Sequence, residues 1–261
     1  MLAPSEVIAL GFLGSLGAGA MTGVGALGVF LVRQLSTKSE DVLLSTAAGI
    51  MLAASIFSLL LPGIDVAIEQ DYASRSAVII VLSGMMLGAI LLAAIYHYTP
   101  HETLPEPSSG ADSQKLKRIW LFVLAIALHN FPEGMAVGVG FANGDINNGL
   151  PLAVGIGIQN IPEGLAVAIT LFTVGFSRLY AFCTAFITGL IEPVGGLLGA
   201  ALVSFSQPLL PWILGGAAGA MLFIISDEII PQTHSRGHKL WSTFSLLSGF
   251  AIMMYLDTTL G

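Results

Sequence analysis

The stretch ALHNFPEGMAVGVGFANGDINNGLPLAVGIGIQNIPEGLAVAI, Ala127 to Ile169, holds two near-copies of one pattern: HNFPEG at 129–134 and QNIPEG at 159–164. Each copy sets one glutamate inside an otherwise apolar run, and the polar segment FANGDINNG at 141–149 lies between them. Apolar runs of this length, joined by so short a turn, read as two antiparallel membrane helices. The chemistry follows from asking why each carries an acid in its middle.

The rest of the chain supports the membrane reading. Of 261 residues 55% are hydrophobic and 10% charged, and the mean hydropathy of +0.87 exceeds what a water-exposed surface tolerates. The formal net charge of -7 is a poor guide to partners, because several acids lie within apolar segments. One cysteine, Cys183, excludes both an internal disulfide framework and a thiolate cluster. The first apolar run carries no Lys or Arg ahead of it and continues to Val32, too long for a signal peptide, so it reads as an uncleaved span.

The fold class predicted is all-α: a polytopic membrane protein with eight transmembrane helices at about 6–32, 42–64, 76–98, 116–143, 149–173, 179–205, 209–230 and 240–260. The prolines of SQPLLP, Ser206 to Pro211, divide spans six and seven. Short connections leave room for one transmembrane domain, 1–261, and no soluble one. Of the nine basic residues, all but Arg75 fall on one side in this arrangement. The positive-inside rule then puts both termini outside the cytoplasm, as expected for a multi-pass protein of the cell (inner) membrane.

Spans four and five thus run in opposite directions with matching motifs near their middles. This implies inverted pseudo-symmetry about an axis in the membrane plane, with the motifs facing each other. Residues i and i+4 share a helix face, so His129 with Glu133, and Gln159 with Glu163, each point one way; Asn130 and Asn160 flank that face. Pro132 and Pro162 free the carbonyls of Leu128 and Ile158, while Gly134 and Gly164 allow close backbone approach or bending.

A carboxylate at the bilayer centre costs about 3 kcal/mol, and Glu133, Glu163 and Glu192 all fall within spans. A divalent cation removes the cost by neutralising them. Carboxylates, one imidazole and amide oxygens form a mixed N/O donor set suited to Zn²⁺, Cd²⁺, Fe²⁺ or Mn²⁺, and two bridging glutamates can hold two adjacent ions. The bound metal is then cargo and not a cofactor, and no enzyme is expected. Two other readings stay open: an intramembrane metal-dependent hydrolase, for which HNFPE lacks the second His of HExxH, and a proton or monovalent-cation pathway, which leaves His129 and the paired amides without work. Metal dependence of flux separates the three.

HNFPEG and QNIPEG, on consecutive spans of an eight-span chain, resemble the paired signatures of the ZIP (Zrt/Irt-like) divalent metal transporters, in particular the bacterial GufA-like group. The resemblance implies transport of zinc and related metals into the cytosol, a central site between spans four and five, and a homodimer; the partners are thus metal and bilayer, with no nucleic acid. It also implies one site from Met51, His129, Glu133, Gln159 and Glu163, and a neighbouring one from Asn130, Glu133, Asn160, Glu163 and Glu192, with Glu133 and Glu163 bridging. Gln159 stands where many members have His, and Asn160 where some have Asp. An amide is the weaker zinc ligand, so a narrower zinc preference is not expected here.

Peripheral candidates follow from position. Ser58, Asp65 and Asp257 lie at outer ends of spans two and eight as an entrance; Asp227 and Glu228 near the inner end of span seven, with His97 and His101, form an exit. The acids Asp227 and Glu228 can equally pair with Arg236 or Lys239, and loop histidines beside a Pro- and Ser-rich segment are as readily solvated.

Overall fold

The computed structural model describes residues 3–32, 36–98, 127, 130–173 and 175–260. Its helices are α1 (Pro4–Ala26), α2 (Thr37–Ala54), α3 (Leu61–Glu69), α4 (Ser74–Tyr98), α5 (130–140), α6 (Ile146–Thr173), α7 (Arg178–Gly189), α8 (Glu192–Phe205), α9 (Leu210–Ile224), α10 (Ile230–Ser235) and α11 (Lys239–Leu260). No strand occurs among the described residues. Seven stretches among them are long and apolar enough to cross a membrane: Pro4–Phe30, Thr37–Glu69, Ser74–Ile95, Ile146–Thr173, Arg178–Ser204, Leu210–Ser235 and Lys239–Thr259. They match seven of the eight expected spans. The fourth is represented by α5, and most of its first half, including His129, lies outside the described residues.

Local chemistry sets the ends. Ser36 and Ser177 cap α2 and α7, their hydroxyls accepting the Ser39 and Tyr180 amides at 3.1 and 3.2 Å. At the turn between α5 and α6, Gly144 takes φ +78°, which a residue with a Cβ resists. The Asp145 carboxylate accepts the Asn148 amide at 3.1 Å, so α6 starts at Ile146, ahead of the expected 149, because Asp145 serves as its cap.

Three spans are not straight rods. Span two widens into a π-turn at Ser55–Leu60 ahead of Pro62, and span seven does the same at Ile225–Ile229 ahead of Pro231. A proline cannot donate to the carbonyl four residues back, and the wider turn takes up the mismatch. Span six breaks after Gly189 and restarts with Glu192 and Pro193 as the opening residues of α8. By contrast α6 runs unbroken through Pro151 and Pro162.

Packing divides the helices into two groups. In one, α1 lies against α6, α7 and α8, with α5 on α8. In the other, α2 pairs with α11 and α4 with α9, and α3 fills in beside α4 and α9. The groups meet along a seam where α6 touches α2 and α11. Of the two roles expected for the motif glycines, close approach is the one seen. A β-carbon on Gly134 would strike the Glu192 carbonyl, and one on Gly164 the Thr22 carbonyl, so backbone lies on backbone.

The most apolar part of α6 is 61% buried, whereas those of α4 and α11 are only 17% buried. The motif-bearing helix is thereby interior, and α4 and α11 turn Ile79, Leu87, Leu91, Trp241, Phe244 and Leu247 outward. In water such a face would aggregate; facing lipid tails it costs nothing.

Candidate metal site

Two side-chain hydrogen bonds organise the motif residues. Gln159 on α6 donates from Nε2 to Oε1 of Glu133 on α5 at 2.6 Å. Its neighbour Asn160 donates from Nδ2 to Oε1 of Glu192 on α8 at 2.7 Å and to the Ala18 carbonyl of α1 at 2.9 Å. The two motifs therefore meet, and α6 ties together α5, α8 and α1. Adjacent amides on a helix point about 100° apart, which lets Gln159 and Asn160 reach two different glutamates.

Each of these groups spends one atom and leaves another. Glu133 Oε2, Gln159 Oε1, Asn160 Oδ1 and Glu192 Oε2 are all buried with no hydrogen-bond partner among the described residues, as is Asn130 Nδ2. Buried oxygens normally find a donor, and leaving one unpaired costs about 1–3 kcal/mol. These four oxygens, on two hydrogen-bonded pairs, carry lone pairs without a donor. Glu133, Gln159, Asn160 and Glu192 have no solvent exposure, whereas Glu163 retains 8%. Among the described residues no three His, Cys, Asp or Glu side chains lie close enough together to hold a metal ion by themselves. The buried polar residues gathered here alternate carboxylates with amides, and the expected imidazole donor, His129, lies outside the described residues.

A family model described as "ZIP Zinc transporter" matches residues 96–257. The chain belongs to the ZIP family. Similar proteins include zinc transporter ZIPB of Bordetella bronchiseptica, 45% identical over 249 residues that cover 95% of this chain and 81% of that protein. Zinc transporter GufA of Myxococcus xanthus is 42% identical, over 96% of this chain and 99% of its own length. Human zinc transporter ZIP11 is 31% identical, with 92% and 94% covered.

The outlying candidates of this ZIP chain separate on inspection. Ser58, fully buried in the first π-turn, donates to Oδ1 of Asp257 on α11 at 2.6 Å, so two of the three entrance residues meet; Asp65 is exposed on α3. Met51 is fully buried on α2, in the apolar core that also holds Ile156 of α6. In the second π-turn Asp227 is exposed and Glu228 half-buried. His97 is exposed near the end of α4, and His101 lies outside the described residues.

The sequence reading offered Arg236 as a partner for Asp227 or Glu228. Instead its Nη1 lies 2.9 Å from Glu40 and 3.5 Å from Asp41, and only the first contact is short enough to be a hydrogen bond. The fully buried Asp41 also meets His238 Nδ1 at 2.9 Å. Sequence reasoning missed this group at the base of α2. The signal was present: Glu40 and Asp41 are adjacent acids near the start of α2, and no charged residue follows them until Asp65. Missed too were the Ala18 carbonyl and the buried, partnerless Thr22 hydroxyl of α1, which carry no distinguishing mark in an apolar, glycine-rich helix.

Proposed function

We propose that this ZIP protein carries divalent metal ions, zinc foremost and cadmium, iron or manganese besides, across the inner membrane into the cytoplasm. The observation that carries this reading is the set of four fully enclosed, partnerless oxygens on Glu133, Gln159, Asn160 and Glu192. Two adjacent dications, one at Gln159 and one at Asn160 and Glu192 with Glu133 shared between them, satisfy these oxygens, whereas a proton satisfies only one. Met51, His129, Glu133, Gln159 and Glu163 make one site in this reading. Asn130, Glu133, Asn160, Glu163 and Glu192 make a second beside it, sharing the two glutamates. Oxygen-rich, thiolate-free donors accept several first-row dications, which favours breadth over strict zinc selectivity.

Transport proceeds by alternating access. The first helix group carries the motif residues, and the second supplies Ser58 and Asp257 toward the outside and Asp227, Glu228 and His97 toward the cytoplasm. Sliding of one group along the seam exposes the ion to each side in turn. A carrier is preferred to a channel because multidentate charged ligands hold ions too firmly for fast conduction. The matched pairs α2 with α11 and α4 with α9, together with a π-turn just ahead of a proline in each of spans two and seven, support an inverted repeat about an axis in the membrane plane. Both termini outside the cytoplasm and a homodimer through the exposed faces complete the reading.

The test is uptake by proteoliposomes of the purified protein offered Zn²⁺, Cd²⁺, Fe²⁺ and Mn²⁺ separately, with His129→Ala and Glu163→Gln alongside. Loss of divalent uptake in both variants is the expected result. Undiminished uptake in both removes the site.

A further inference from the structure

An apolar cavity of about 280 Å³ lies between α4 and α9 on one side and α5 and α8 on the other, bridging the two helix groups. Its lining is almost wholly carbon, and it touches Phe131, Pro132 and Met135 of the motif helix. Gly84 and Gly88 of α4 pack directly on the backbones of Trp212 and Gly216 on α9, whereas a β-carbon on Gly216 would meet only the Gly84 carbonyl at 3.7 Å, so Gly216 has no side chain where there is room for one.

Two facts identify what enters. Water needs two or more polar partners to occupy an internal site, and apolar cavities of about half this size stay dry yet accept benzene. The mouth is continuous with the lipid-facing surface, because the lining residues Leu87, Leu91 and Leu202 are 58%, 65% and 49% exposed. In a bilayer the phase at that mouth is hydrocarbon. A lipid tail gains nothing by leaving other tails, but it gains the dispersion contacts that an unfilled void forfeits.

We propose that this cavity is a binding site for one acyl chain of a bilayer phospholipid, seated between the two helix groups against Pro132, the residue before Glu133. Such a chain is a removable wedge in the seam. The wedge rests on the alternating-access reading above; the binding does not.

The experiment uses the full chain in vesicles containing a phospholipid with a diazirine in mid-chain, followed by photolysis, digestion and mass spectrometry. Adducts are expected on Phe131 and Met135 as well as on the outward Phe244 and Leu247 of α11. Gly216→Leu and, independently, Ala220→Leu fill the cavity and should abolish the Phe131 and Met135 adducts while leaving those on α11 intact, which also reports that the variants remain folded. Absence of Phe131 and Met135 adducts in the unsubstituted protein, or their persistence in both variants, overturns the site. Zinc uptake in the same vesicles tests the wedge: uptake unaltered when labelling is lost overturns it, and no uptake by the unsubstituted protein counts against the transport reading alone.

Discussion

Gln159 and Glu133 are joined at 2.6 Å inside the membrane, and the bond leaves each with one buried oxygen unused. The amide orients the carboxylate and, in the proposed site, offers oxygen where an imidazole would offer nitrogen. Replacing Gln159 by His retains a donor to Glu133 and substitutes nitrogen, which suits zinc better than manganese. The expected outcome is a higher ratio of Zn²⁺ to Mn²⁺ uptake in competition, whereas Gln159→Ala lowers uptake of both and costs about 1–3 kcal/mol by stranding Glu133.

Asn160 donates to both Glu192 and the Ala18 carbonyl, so Asn160→Asp removes two hydrogen bonds and places a second acid beside Glu192. Without metal the variant unfolds at lower temperature than the parent. With Zn²⁺ the gap narrows or reverses, because a tighter ligand set stabilises the folded state by mass action. Thermal unfolding across a zinc titration, read with metal content per chain, checks this; equal zinc-induced shifts in both proteins would contradict it.

Gly164 and Gly17 separate packing from propensity. A β-carbon at Gly164 would overlap the Thr22 backbone, whereas one at Gly17 meets nothing within 4 Å. Gly164→Ala is expected to cost about 1–3 kcal/mol by forcing α1 from α6. Gly17→Ala is neutral or stabilising by up to about 1 kcal/mol, the helix preference of alanine over glycine. Unfolding in detergent compares them directly.

Asp41 is fully buried, and its partners Arg236 and His238 have side chains 24% and 28% exposed. Asp41→Asn keeps the volume and removes the charge. The loss should fall between the surface and buried limits for an ion pair, about 1–3 kcal/mol, since Glu40 still holds Arg236. Because salt screens the exposed partners, the difference from the parent should shrink as ionic strength rises; a gap independent of salt would assign the effect to packing.

The spans and the motif acids were legible in the one-dimensional chain for the same reason. A bilayer demands about 20 apolar residues per crossing, so Glu133, Glu163 and Glu192 stand out as costly exceptions. The approach of the two motifs followed from their antiparallel placement. What could not be read was which atom takes which partner. That Ser58 meets Asp257 across 199 residues, and His238 meets Asp41 across 197, depends on how α11 lies along α2, which no local pattern encodes. The prolines were visible, yet Pro62 and Pro231 sit behind widened turns while Pro162 lies within an unbroken helix, because neighbouring helices decide how a missing amide is accommodated.

The amino-acid order alone thus determined which stretches are long and apolar enough to cross a membrane and which acids stand out within them, since both follow from the cost of placing polarity in hydrocarbon. Only the tertiary structure decided that Gln159 and Asn160 serve different glutamates, that Arg236 is held by Glu40 and Asp41, and that an apolar cavity lies between the helix groups. Those outcomes depend on the relative rotation and depth of packed helices, set by the fit of side chains across interfaces between segments far apart in sequence.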